Sequence, residues 1–421
     1  MKKKLLAIVI CVAMLLCLCA CAQKQPQTET TQTAQTEAET TESAQQQEQT
    51  ASTIKIALIN ALSGTSSEAG NLELQAAQMA IEKINAAGGI QSMGGAQLEL
   101  VSYDYTSDAN NTKSVVERVL SSEDVVAGVG GTTSGLLLPT LSVWESYEIP
   151  IVTENNAPDL TSQGYEYVFS VHCRGTEVGT KSVEFIEWLK TKGYDLNKAA
   201  IIYENSAKGI SSAEGARSYC EQVGLEIVYD ESHPNTITDV TSIVTAAKKA
   251  GAEVCFVYTL DQVSKLITTT MKDLSYNPIT LSSNTTPSFY KALGDASNGI
   301  LCGANWFPTN AAVVNNPEYK ALMDEYEERY GMFIDQCGGG VYSSVMIIAQ
   351  ALEACASTDG ATLKDTIASG TWKVLLGDGE ITFNEKHESV GTYAVIGQWQ
   401  DGHIVTVYPE SAASGEFKIY E

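Results

Sequence analysis

Along this chain, short β-rich apolar runs alternate with stretches in which apolar residues return every three or four positions. Ile54-Lys55-Ile56-Ala57-Leu58-Ile59 is the first such run. After a Gly-Ser-Thr loop at Ser63–Ser67, Leu74, Ala77, Ile81 and Ile84 recur at helical spacing and give one apolar face. Gly88-Gly89 follows, suited to the left-handed backbone that closes many helices. The order continues with a strand Leu98–Tyr103, a helix marked by Val115, Val116, Val119 and Leu120, a strand Val125–Val129, a helix Leu136–Tyr147 and a strand Ile149–Val152. This βαβαβαβ order predicts a parallel sheet with helices on both faces.

The pattern then restarts. Helices are expected around Val178–Lys192, Ser212–Val223, Val240–Ala250 and Val263–Asp273, interleaved with strands Ala199–Tyr203, Glu226–Tyr229, Glu253–Tyr258 and Ile279–Ser282, and a further β-rich run begins at Ile300. The fold class is therefore α/β, with two doubly wound parallel-sheet lobes and a cleft between them. In open sheets of this kind a ligand sits beyond the carboxyl ends of the strands.

The N-terminus has a different pattern. Met1-Lys2-Lys3-Lys4 precedes an apolar run, Leu5 to Ala20, shorter than the ~20 residues of a membrane-spanning helix. Residues 1–20 are read as a secretory signal. Leu18-Cys19-Ala20-Cys21 resembles the bacterial lipobox, which makes Cys21 the lipidated first residue of the mature chain; an ordinary secretory signal is the alternative. From Ala22 to Ser52 the chain is almost entirely Gln, Thr, Glu, Ala and Ser. Such a segment cannot bury enough apolar surface to fold, and as a coil of ~30 residues it reaches roughly 30 Å. Residues 21–52 are expected to tether the body to the extracytoplasmic face of a bacterial cell membrane.

Charge and composition narrow the partners. The chain carries 51 acidic against 26 basic residues, a formal net charge of −25, which argues against nucleic acid and anionic headgroups. Cys173, Cys220, Cys255, Cys302, Cys337 and Cys355 are scattered without metal-ligand spacing, and no disulfide is expected. The dispersed His172, His233, His387 and His403 make no convincing zinc site, and neither a phosphate loop nor His-Glu-x-x-His occurs. No metal, cofactor or catalytic residue is assigned.

Ile56–Gly64, Ala80-Ile81-Glu82-Lys83-Ile84-Asn85-Ala86-Ala87-Gly88-Gly89-Ile90, Leu98–Val101 leading to Tyr105–Asp108, Val126–Ser134, Ala157–Thr161, Ala199–Tyr203 and Gly294–Gly299 form an ordered set. That set resembles the type I periplasmic-binding fold, in particular the branched-chain amino-acid (Leu/Ile/Val) receptor group of ABC-transporter solute-binding lipoproteins. It implies a binding protein rather than an enzyme, a monomer, partnered by a small-molecule ligand and by an ABC permease and ATPase. It also implies three passages between lobes, near Val171–Arg174, Cys302–Ala304 and Gly377–Gly379. Lobe 1 is then residues 53–172 plus 304–378, and lobe 2 residues 174–302 plus 379–418.

Candidate ligand contacts follow from the strand ends. Gly130-Gly131-Thr132-Thr133-Ser134 ends the third strand and opens a helix, where backbone N–H groups and hydroxyls favour an anionic or carbonyl oxygen. The resemblance places a carboxylate-binding hydroxyl at Ser134, with Thr133 beside it; a helix cap at Ser134 is the structural alternative. Asn155 and Asn156, after the fourth strand, offer amide groups. The chain departs from the amino-acid pattern at Ala69, at Ala207-Lys208 and at Ser282-Ser283-Asn284, which points away from a simple branched-chain amino acid. Tyr258 keeps an aromatic, Asp261 is a possible cation partner, Lys208 favours an anionic group, and Trp306 offers either an aromatic surface or a core side chain. A non-transport sensor of the same fold and an extracellular serine hydrolase using Ser134 are the competing functions, although Gly131–Gly135 lacks the Gly-x-Ser-x-Gly spacing.

Overall fold

The computed structural model describes residues 52–283 and 285–420; the expected signal, Cys21, nearly all of the tether and the departure at Asn284 lie outside them. Strand β1 (Thr53–Asn60) pairs in parallel with β2 (Gln97–Asp104) and β3 (Val125–Val129), and β4 (Ile151–Thr153) and β5 (Val168–Ser170) extend the sheet in the order β2-β1-β3-β4-β5. Alternation along β1 explains why both faces are covered. Ile54, Ile56 and Leu58 enter one core and Ala57 and Ile59 enter another on the opposite face.

The second lobe repeats the device. β6 (Lys198–Glu204), β7 (Glu226–His233), β8 (Val254–Tyr258), β9 (Ile279–Ser282) and β10 (Leu301–Ala304) form its parallel part. Val254 and Phe256 face one core, Cys255 and Val257 the other. The helix expected at Leu136–Tyr147 is broken into Ser134–Leu137, a 3-10 turn at Leu138–Thr140 and Leu141–Ser146. Pro139 lacks the N–H that a continuous helix needs there.

One expected passage is displaced. β11 (Trp372–Lys373) turns through Gly377 (φ +57°) and Gly379 (φ +98°) into β12 (Glu380–Phe383), which pairs with β13 (Ser389–Val390). Those glycines make a hairpin, not a hinge. Ile381 and Phe383 pack in the first lobe's core, and the Ser170 N–H donates to the His387 carbonyl at 2.9 Å. The chain joins the second sheet only at β14 (Val395–Gln400), which with β15 (His403–Tyr408) adds the antiparallel edge. The third passage therefore lies between Val390 and Val395 rather than at Gly377–Gly379. The other two fall at Ser170–Gly175 and around Asn305, where β10 gives way to Trp306 in the first core.

Candidate functional site

A cavity of about 380 Å³ opens at the carboxyl ends of both sheets. Volumes of this order suit a small molecule. Loops after β1 to β4 form one wall, and loops after β6, β7 and β8 form the other. The first turn of the helix Gln336–Cys355 and His172, on the first passage, close its sides. Thr133, Ser134, Asn155, Asn156 and Lys208 all line it.

The loop after β3 is built from within. Gly130 and Gly131 have φ of +83° and +115°, and Thr132 follows at +52°. The Gly131 N–H donates to Asn60 Oδ1 at 2.7 Å and the Thr132 N–H to Glu73 Oε2 at 3.3 Å. Those two amides, expected to face a ligand, are thus spent on the scaffold. The helix they open has only four residues. Ser134 Oγ does not cap its helix; it accepts from the Ala157 N–H at 3.3 Å and donates to Asn155 Oδ1 at 3.4 Å. Thr153 Oγ1 donates to the Gly130 carbonyl at 2.7 Å and accepts from the Asn155 backbone N–H at 3.1 Å. The loops after β3 and β4 are therefore one hydrogen-bonded unit.

Behind this wall lies a buried acidic group absent from the sequence expectations. Glu73 projects from the apolar face of the helix Ser67–Ala86, and its Oε2 accepts from Asn60 Nδ2 at 2.6 Å. Glu154 follows β4, with Oε1 accepting from Asn155 Nδ2 at 3.2 Å. Glu73 Oε1 and Glu154 Oε2 have no conventional donor. Burial pushes both carboxyls up, and the charge of Glu154 raises Glu73 further. Asp335 caps the helix Gln336–Cys355 through the Gly338 N–H at 2.8 Å, and burial raises its carboxyl to about 6. Gly340 lets that helix touch the site: a Cβ there would stand 2.4 Å from Glu154 Cβ and 2.8 Å from His172 Nε2. His172 is neutral, its pKa lowered to about 3 by burial and then by the Lys208 charge.

The opposite wall is simpler. Ser206 donates to Glu204 Oε1 at 2.6 Å and caps the helix Ala207–Val223 through the Gly209 N–H at 3.2 Å. Glu204 Oε2 accepts from the Leu260 N–H at 3.0 Å. Lys208, in the first turn of that helix, stands opposite Glu154 and lowers its pKa by charge.

Three expected residues do not reach the cavity. Tyr258 is buried in the second lobe's core, its ring parallel to Phe256 with centroids 6.5 Å apart. Asp261 points away from the cavity lining to accept from the Thr286 hydroxyl, and burial raises its carboxyl to about 6. Trp306 is fully buried in the first lobe's core, against the backbone of Gly339. In each case a strand end or turn residue has a choice of two faces, and packing takes the inner one. Glu73, Glu154 and His172 were missed for the converse reason. Their signal was polarity in apolar company: Glu73 shares a helix face with Ala77, and Glu154 closes the run Ile149–Thr153.

The buried ionisable groups set a pH dependence. Glu73, Glu154, Asp261 and Asp335 bind protons more firmly folded than unfolded, so they contribute stability below their ordinary values and lose it as pH rises through the folded ones. His172, depressed on folding, acts oppositely: its contribution is lost as pH falls below 6.5 towards about 3. Each titrating group changes stability by up to ~1.4 kcal/mol per pH unit. The four carboxyls outnumber the two depressed imidazoles, His172 and His387, so the urea midpoint is expected to rise between pH 7 and pH 5. A flat or falling profile would contradict the upward shift of these buried carboxyls.

Comparison with known proteins fits this geometry. The sequence profile of the family described as periplasmic binding protein matches residues 53–403. The chain is 26% identical over 386 residues to Leu/Ile/Val-binding protein homolog 7 of Brucella abortus (strain 2308), covering 88% of this chain and 94% of that protein. Among solved structures, a leucine-binding protein LivK of Thermotoga maritima superposes with a TM-score of 0.74 at 19% identity, covering 84% of this chain and 97% of its own. The branched-chain amino acid transporter substrate-binding protein LivJ of Streptococcus pneumoniae, in complex with isoleucine, superposes with a TM-score of 0.73 at 22% identity, covering 84% and 100%. The shared fold is α/β with two parallel-sheet lobes.

Proposed function

The chain belongs to the periplasmic binding protein family, and from that membership we propose that it is the extracytoplasmic solute receptor of an ABC importer. It captures an amino acid or related carboxylate or amide between its lobes and presents it to a permease and ATPase. One observation carries the reading: polar side chains from both lobes converge on a single cavity at the carboxyl ends of both sheets. Ser134, Thr133, Asn155 and Asn156 hold the ligand on the first lobe, and Lys208 closes on its anionic end from the second. A ligand touching both walls favours the closed arrangement by its differential affinity, and binding is not followed by turnover. The relatives' names support an amino-acid ligand, and the leader segment supports export and lipid anchoring at Cys21.

Thermal unfolding of ligand-stripped protein against amino acids, small carboxylates and amides tests the reading. A true ligand at 100 times its dissociation constant adds ~2.7 kcal/mol, and a panel without any shift refutes the ligand class. Ser134→Ala should weaken binding of a carboxylate ligand at least about tenfold, since a hydrogen bond to a charged group contributes ~1.5–3 kcal/mol. Cys21→Ala should release the protein from membranes with its affinity unchanged; continued tight association would point to an uncleaved signal.

A further inference from the structure

The short segment that leads into the helix Gln336–Cys355 is anchored in the first lobe and touches the second at two points. Ile334 is buried in the first core, and Asp335 caps the helix. Gln336, 5% exposed, lines the cavity. Its Oε1 accepts from the Asn305 N–H, on the second passage, at 3.2 Å. A backbone N–H can only donate, which fixes the amide's orientation and turns Nε2 towards Thr285. Nε2 donates to Thr285 Oγ1 at 3.3 Å, and Thr285 follows β9 in the second lobe. Phe333 turns the other way. Its ring lies against Trp399 of β14, with centroids 5.9 Å apart, at the edge of the cluster that holds Phe307 and Ile404.

Strand order sets what these two contacts do. The second sheet runs β15-β14-β10-β9-β8-β6-β7. The loops after β6, β7 and β8 line the cavity, and β10 leads into the second passage. Thr285, after β9, therefore lies on the cavity side of that passage, and Trp399, on β14, lies on its outer side. The outer side has a crevice of its own, of about 190 Å³, between Met323 and Glu327 of the first lobe and His403 and Ile404 of the second. We propose that the segment Phe333–Gln336 is a fulcrum, on which the Gln336–Thr285 contact favours the closed arrangement and the Phe333–Trp399 contact the open one. Rotation about the passages that narrows the cavity presses the first contact together and draws the second apart. A contact made better in one state shifts the equilibrium by its differential free energy, wherever the solute sits. The inference rests on the reading of the cavity as a solute site and assigns the residues that set how far its empty form is closed. Phe333 and Thr285 stand outside the cavity lining, so neither has to touch a solute to change its affinity.

Small-angle X-ray scattering of solute-free protein tests this with Thr285→Val, Phe333→Ala and Phe333→Leu, each checked for folding by circular dichroism and melting. Thr285→Val should enlarge the radius of gyration, and the Phe333 variants should reduce it. Titration calorimetry with leucine gives a second readout, because apparent affinity scales with the fraction of protein competent to bind. Thr285→Val should weaken leucine about threefold or more, the scale of one hydrogen bond, and Phe333→Ala should tighten it by a similar factor. Residues that only hold the fold together would move both sets of variants the same way. A radius that shifts in the same direction in both sets, or stays at the parent's value in either, overturns the fulcrum and leaves the receptor reading standing. Leucine affinities that move together do the same. Silence of the parent towards the whole solute panel overturns the receptor reading, and scattering then still decides the fulcrum.

Discussion

Gly179→Ala is expected to destabilise the protein by about 2–4 kcal/mol, although helix propensity alone predicts a gain of up to ~1 kcal/mol for the same change. Gly179 lies inside the helix Gly175–Thr191, where a Cβ would stand 2.0 Å from the Ser212 carbonyl oxygen and 2.7 Å from the Ala216 nitrogen. Gly215 repeats the contact from the other side, 2.0 Å from the Thr176 carbonyl oxygen. The helices Gly175–Thr191 and Ala207–Val223 thus meet backbone to backbone, and no flexible side chain can yield. Sterics exceed propensity here. Gly135, with nothing within 4 Å of its Cβ position, is the control: its alanine variant should stay within ~1 kcal/mol of the parent. Urea unfolding of both variants measures the difference, and a stabilised Gly179→Ala would show that the helices can separate without cost. The contact also has a functional side, because the second helix carries Lys208 in its first turn.

Trp306→Ala should cost about 3–5 kcal/mol, the range for removing a large buried aromatic. The indole is fully buried in the first lobe's core, and its Nε1 has no hydrogen-bond partner, so the loss is one of packing and cavity formation. Gly339 has no side chain to close the gap, since its Cβ position lies 2.5 Å from the ring. Equilibrium denaturation with an unchanged slope but a lower midpoint is the expected result. A loss below ~1 kcal/mol, with a large fall in ligand affinity, would return Trp306 to the cavity wall.

The residue pattern made the alternation of strands and helices legible because the central strands of both sheets are buried on two faces and helices such as Asp261–Asp273 on one. Ala199, Ile201 and Val254, Phe256 face one core while Ala200, Ile202 and Cys255, Val257 face the other, and that requirement writes continuous apolar runs. Local backbone chemistry was legible too. Gly88 and Gly89 do take positive φ, at +105° and +73°, after the helix Ser67–Ala86. Strand ends that carry polar residues could be located for the same reason, and Ser134, Asn155 and Lys208 do meet at one cavity.

Sequence periodicity determined which segments are strands and which faces are apolar, because both follow from nearest-neighbour geometry along the chain. It did not determine partners distant in sequence. Ile381 and Phe383 alternate as any strand would, and only their fit against the first lobe's core assigned them there. Whether Asp261 turned to the cavity or to Thr286 depended on a hydroxyl 25 positions away. The pairing of Glu73 with Glu154 brings together a helix face and a strand end 81 residues apart. Burial raises both carboxyls, and burial exists only once the sheet, the helix Ser67–Ala86 and the helix Gln336–Cys355 have packed. The chain's own pattern set the elements; the charge of the cavity was decided by tertiary structure, because desolvation and charge coupling act through space.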